Sequence, residues 1–165
     1  MSSLDHVLSA FARHKPSTVL SLLSEDEAIP LFPGLAPASH LKLYVERESC
    51  AADISDAARR RAAEIVSFAR SWDGKGPILI HCQRGISRST AAAFIIMCAR
   101  LPEVSEDELI ARIRRAAPHA DPCPMLTYYA DGILDRDGRM LDAVEDLTPP
   151  TTVLSAPPAP VAFAA

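Results

Sequence analysis

Two residues near the middle of the chain have the types and the spacing for nucleophilic attack on a bound anion: Cys82 and, six positions on, Arg88. They lie in the run Pro77-Ile78-Leu79-Ile80-His81-Cys82-Gln83-Arg84-Gly85-Ile86-Ser87-Arg88-Ser89-Thr90. A cysteine is nucleophilic as its thiolate, the form favoured at helix N-termini and beside cations. Arg88 offers a planar fork of donors that matches two oxygens of a phosphate. Gly85 permits a backbone turn that a residue with a Cβ resists. A thiolate at the base of such a turn is aimed at a bound phosphorus atom.

These residues need a strand before them and a helix after them. Pro77–Ile80 is short, β-branched and ended by polar residues, which predicts a buried strand. Ala91–Leu101 is rich in Ala, Ile and Met and predicts a buried helix. The tight loop between them opens onto the helix N-terminus. There, successive N–H groups lack intrahelical partners and the helix dipole adds positive potential.

With these residues in place, His81-Cys82-Gln83-Arg84-Gly85-Ile86-Ser87-Arg88-Ser89 resembles the His-Cys-x5-Arg-Ser/Thr signature of the cysteine-dependent protein tyrosine phosphatases. The wider run from about Leu41 to Met140 is similar to a bacterial, dual-specificity-like branch of that superfamily. The resemblance implies that Cys82 attacks phosphorus and forms a phosphocysteine. It implies that Gln83, Arg84, Gly85, Ile86, Ser87 and Arg88 bind the phosphate, with Arg88 bidentate. Ser89 resembles the hydroxyl that helps the sulfur leave, and it is equally placed to cap the helix. His81 resembles the histidine that holds the loop without acting as the acid. Arg84 lines the mouth, either meeting an anionic substrate or solvated.

In related phosphatases the general acid is an Asp on a loop roughly thirty residues before the Cys. Asp53 is the nearest fit and the first expectation. Glu46 and Glu48 lie closer to the strand end, where relatives carry their Asp, and Asp56 looks like part of the next helix. Asp121 and Asp131 stay open, because the C-terminal helices could fold over the loop.

The remaining chain supplies an α/β pattern. Ser17–Leu23 and Leu41–Val45 read as strands, with Val7-Leu8 as a short strand before a Ser9–His14 helix. Helices are expected from about Asp56 to Trp72, from Ser105 to Ala117 and from Met125 to about Leu134, with a short amphipathic segment at Arg139–Leu147. Together these predict a central, mostly parallel sheet of about four to five strands flanked by helices. Residues 1–147 are read as one catalytic domain. Residues 148–165, Pro- and Ala-rich without periodicity, are read as a disordered tail.

Composition sets outer bounds. An apolar content of 48% with 23% charged residues suits a soluble globular chain, and the net charge of −4 gives no reason to expect nucleic acid or an anionic membrane. Cys50, Cys82, Cys98 and Cys123 show no metal-ligand spacing, so no metal or cofactor is expected. Cys50 and Cys123 are read as loop residues open to oxidation with Cys82. A thiolate enzyme needs a reducing compartment, which makes the cytoplasm the expected location. The expected substrate is a phosphotyrosine protein, with phosphoserine and phosphothreonine also open. The alternatives are a phosphatase of small phosphates or phosphoinositides and a non-catalytic phosphopeptide-binding module. The loop has no Lys, which disfavours phosphoinositides.

Overall fold

The computed structural model describes residues 1–45 and 55–162. Four strands form one fully parallel sheet: β1 (Ser2–Ser3), β2 (Thr18–Leu23), β3 (His40–Tyr44) and β4 (Ile78–Cys82), in the spatial order β1-β4-β2-β3. Six helices flank it: α1 (Val7–His14), α2 (Ser55–Ser71), α3 (Arg88–Arg100), α4 (Glu106–Ala116), α5 (Pro124–Ile133) and α6 (Arg139–Glu145). The expected α/β architecture is therefore the observed one.

The order of strands matters for the site. The chain runs from β2 to its neighbour β3, then crosses through α2 and returns as β4 on the other side of β2. Crevices at such reversals, outside the carboxyl ends of parallel strands, are where open α/β sheets bind ligands. The loop carrying Cys82 and Arg88 leaves β4 at that end.

The strand β4 is apolar because it is central. Leu79, Ile80, His81 and Cys82 are all buried, between Ser2-Ser3 on one side and Thr18–Leu22 on the other. The helix that follows is buried on every side: Arg88 through Cys98 are all inaccessible. This explains why α3 shows no amphipathic stripe, since a helix wrapped by a sheet and three other helices has no wet face. The α2 face made of Ala62, Ile65, Val66 and Ala69 packs into the same core. On the opposite face of the sheet, Val7, Ala10, Val19, Phe32 and Leu79 make a smaller cluster under α1.

The N-terminus departs from expectation. Val7-Leu8 opens α1 instead of forming a strand, because Val7 and Ala10 sit three apart on the buried helical stripe. The pairing strand is Ser2-Ser3, two residues with no apolar signal, which align with His81 and Cys82.

Residues 148–162 hold no helix or strand, yet they depart from a disordered tail. Ala156 and Ala159 are buried, Ala156 N–H donates to the Arg84 carbonyl at 2.8 Å, and Ala159 N–H donates to the Met1 carbonyl at 2.9 Å. Ala and Pro lose almost no side-chain entropy on burial, so small residues can pack without any periodic pattern. No helix among the described residues is long and apolar enough to cross a membrane.

Candidate active site

Cys82 ends β4 and is buried, yet it lines a cleft of about 440 Å³ with Gln83, Arg84, Ile86, Ser87, Arg88 and Asp121. Two groups approach its sulfur. Gly85 N–H donates to Sγ at 3.2 Å, and Ser89 Oγ lies 3.3 Å away. The thiol donates to that hydroxyl, whereas an ionised sulfur accepts from it, so Ser89 suits both states. Hydrogen bonds to an anion stabilise it.

Gly85 has φ +72°, and a Cβ there would stand 2.7 Å from the Ser3 nitrogen and 2.8 Å from the Ser2 carbonyl carbon. Backbone conformation and the close passage of β1 both require a glycine at this turn. The loop ends in Ser87, whose carbonyl accepts from Ala91 N–H at 2.9 Å and from Thr90 Oγ1 at 2.9 Å. Thr90 Oγ1 also donates to the Ile86 carbonyl.

Arg88 is buried, and its charge is answered. Nη1 donates to the Val45 carbonyl at 2.8 Å, to Ser24 Oγ at 3.2 Å and to Glu27 Oε2 at 3.3 Å, while Nη2 donates to Glu27 Oε1 at 3.4 Å. Ser24 N–H donates to Glu27 Oε2 at 2.7 Å, fixing the carboxylate in turn. A guanidinium has five N–H donors. These contacts use the Nη1 pair and one Nη2 hydrogen, leaving among the described residues the Nε–H and the other Nη2–H. That edge is the one that takes two phosphate oxygens side by side.

His81 precedes Cys82 in β4 and is buried. Its Nε2 is 2.6 Å from Ser21 Oγ, and Ser21 Oγ is 2.8 Å from His40 Nε2. Burial, and then repulsion from His40, push the His81 pKa down from 6.5 to about 4. The ring is therefore neutral near pH 7, and it ties β4 to Ser21 of β2 and, through it, to His40 of β3. His40 is also lowered, by its own burial and then by Lys42.

Arg84 is exposed at the rim and turns to the C-terminal segment. Its Nε donates to the Leu154 carbonyl at 3.1 Å and its Nη2 to the Val153 carbonyl at 3.0 Å. The structure thus brings Cys82, Gln83, Arg84, Ile86, Ser87 and Arg88 together around one cleft, with Gly85 and Ser89 on the Cys82 sulfur.

The carboxyl candidates separate. Asp53, Glu46 and Glu48 lie outside the described residues, as does Cys50. Asp56 sits in the first turn of α2. Asp131 is committed elsewhere, accepting from Gly138 N–H at 2.8 Å and Met140 N–H at 2.9 Å. Asp121 lines the cleft itself.

Cys123 and Cys98 are buried, and Cys98 is pushed up to about 12 by that burial, an inert core thiol. Cys123, read as a loop residue, packs at the start of α5. Sequence reading missed Glu27 and Ser24. The one available signal was an acid-rich turn, Glu25-Asp26-Glu27, directly after a buried strand. It also missed the 153–156 segment, which no motif marks.

No protein-family model matches the chain, and no curated protein matches it in sequence. Solved structures do match in fold, and they define a class: the phosphatase-like α/β fold of dual-specificity phosphatases and their kin. DUSP15 superposes with a TM-score of 0.60 at 18% identity, covering 90% of this chain and 91% of that one. Human DUSP28 gives 0.54 at 20% identity over 78% and 81% of the two chains. PTPMT1 in complex with PI(5)P gives 0.56 at 16% identity over 83% and 90%. At these identities the likeness is one of fold, and the chemistry must be argued from the cleft.

Proposed function

We propose that this protein is a phosphoric monoester hydrolase that removes phosphate from phosphotyrosine, and also from phosphoserine or phosphothreonine, through a phosphocysteine on Cys82. One observation carries the reading: a thiol receives a backbone N–H on its sulfur while a buried guanidinium, held from behind, leaves a two-donor edge to the same cleft. The shared fold of the dual-specificity phosphatases supports it.

The roles follow from position. Substrate phosphate sits over Cys82, with Arg88 and the loop N–H groups of Gln83–Ser87 on its equatorial oxygens. The sulfur attacks in line as the bond to the leaving oxygen breaks. Fixed donors that meet the developing charge supply the main stabilisation. Ser89 donates to the sulfur as it leaves in the second step. The loop and Arg88 provide the positive field that the phosphate requires.

Hydrolysis of p-nitrophenyl phosphate, measured with reductant and without added metal, tests this. Wild type is expected to turn over in a vanadate-sensitive manner, and Cys82→Ser to lose all detectable turnover while staying folded. A folded wild type that binds phosphate but releases none from this probe or from a phosphopeptide panel would make the protein a binding module instead.

A further inference from the structure

The segment after α6 holds no helix or strand, yet it meets the signature loop in three ways. Ala156 N–H donates to the Arg84 carbonyl at 2.8 Å. The Arg84 side chain donates back, to the carbonyls of Val153 and Leu154 at 3.0 and 3.1 Å. Ala156 Cβ also lies 3.0 Å from the place where a side chain on Gly85 would begin. Gly85 and Ala156 are both buried, so little water competes for this contact.

The bond from Ala156 matters most, because of what the other edge of the same peptide does. A peptide unit is planar and trans, so the Arg84 carbonyl and the Gly85 N–H are opposite edges of one rigid plate. The N–H edge donates to Cys82 Sγ at 3.2 Å, while the carbonyl edge accepts from Ala156. Turning the plate moves both edges together. Gly85, at φ +72°, has no Cβ to resist such a turn. Ala156 therefore supplies from outside a restraint that the glycine cannot. A hydrogen bond accepted at the carbonyl also polarises the amide and strengthens the N–H as a donor.

We propose that Ala156 is a positioning residue of this site: by holding the Arg84–Gly85 peptide it keeps an N–H on the Cys82 sulfur and so favours the thiolate over the thiol. The effect on turnover rests on the phosphatase reading; the effect on the thiol does not. Residues 153–156 are thus a separable part of the site. They are pinned elsewhere by Ser155 Oγ on Asp5 Oδ2 at 2.6 Å, an exposed contact, and by Ser3 N–H on the Ala156 carbonyl at 3.4 Å. Lifting this segment away would deplete the reactive form of Cys82 without altering any side chain that lines the cleft.

The test compares wild type, Ala156→Pro and Ala156→Gly, each as the whole chain. Proline removes the N–H that the Arg84 carbonyl accepts. Glycine keeps that N–H and gives up the buried methyl. Both substitutions are uncharged, so Arg84, Arg88 and Asp121, which line the cleft with Cys82, bear on the sulfur equally in all three proteins. The thiolate is read from the ultraviolet absorbance that Cys82→Ser removes. At a pH where wild type holds both forms, the thiolate-to-thiol ratio should fall about tenfold in Ala156→Pro, the effect of losing one hydrogen bond to a charged group. In Ala156→Gly most of the ratio should be retained. The kcat/KM on p-nitrophenyl phosphate should fall in parallel with the ratio.

An unchanged ratio in a folded Ala156→Pro, or an equal fall in Ala156→Gly, overturns the proposal. If Ala156→Pro does not fold, amide hydrogen exchange in wild type decides the matter. The Gly85 and Ala156 N–H groups should then open together, and an Ala156 amide that exchanges far faster than that of Gly85 overturns the proposal. A fall in the ratio without any Cys82-dependent turnover in wild type overturns the phosphatase reading and leaves the role of Ala156 standing.

Discussion

The signature loop has two flanks, and they are built by opposite means. On one flank Arg88 is buried and bound to a buried carboxylate, Glu27, with Ser24 and the Val45 carbonyl completing the socket. On the other, Arg84 is exposed and, among the described residues, meets the carbonyls of Val153 and Leu154. A buried charge without its partner is very costly, whereas an exposed one falls back on water. The same residue type four positions apart is thus a fixed part on one side and a replaceable fastening on the other.

The largest break in this contrast is Glu27→Ala. It strands the Arg88 guanidinium, and the expected loss is about 3–5 kcal/mol of stability in a urea titration. Turnover should fall with it, because Arg88 loses its brace. If the variant instead unfolds at the wild-type urea concentration, the socket is not what holds Arg88.

Acid should act on the strand that carries the loop through His81, which precedes Cys82 in β4. His81 titrates at about 4 in the fold and near 6.5 when unfolded. Between those values the unfolded chain binds more protons, so this contribution is complete above about pH 6.5 and is lost as pH falls through 4. At about 1.4 kcal/mol per pH unit it amounts to about 3 kcal/mol. Unfolding midpoints across this range should slope less in His81→Gln than in wild type.

The smallest effect belongs to Arg84→Ala. Losing two exposed hydrogen bonds to carbonyls should cost about 1 kcal/mol, read as a small drop in melting temperature. A loss as large as that of Glu27→Ala would erase the distinction between the flanks.

What the sequence revealed about this site depended on where the signal lay. Cys82, Gly85, Arg88 and Ser89 all lie in one strand-loop-helix unit, so their types and spacing announce them. The strands β2 and β4 were legible because buried parallel strands are short apolar runs, and β3 because Leu41 and Leu43 alternate with Lys42 and Tyr44. Glu27 was not, since its role comes from a partner 61 positions away. Ser2-Ser3 was not, because a two-residue strand contributes backbone pairing and no pattern. Asp121 could be named as one open carboxyl, but only the fold shows that its segment is fastened to Ile86 and Ser87.

The bonds from Arg84 to Val153 and Leu154 span 69 and 70 positions, and Ser3 N–H reaches the Ala156 carbonyl at 3.4 Å. During synthesis, these fastenings cannot form until residues 153–156 have been added. At about 5–20 residues per second, the loop waits roughly 4–14 s after Arg84 is added. Through that interval the nascent chain carries Cys82 with one flank of the loop still unmade.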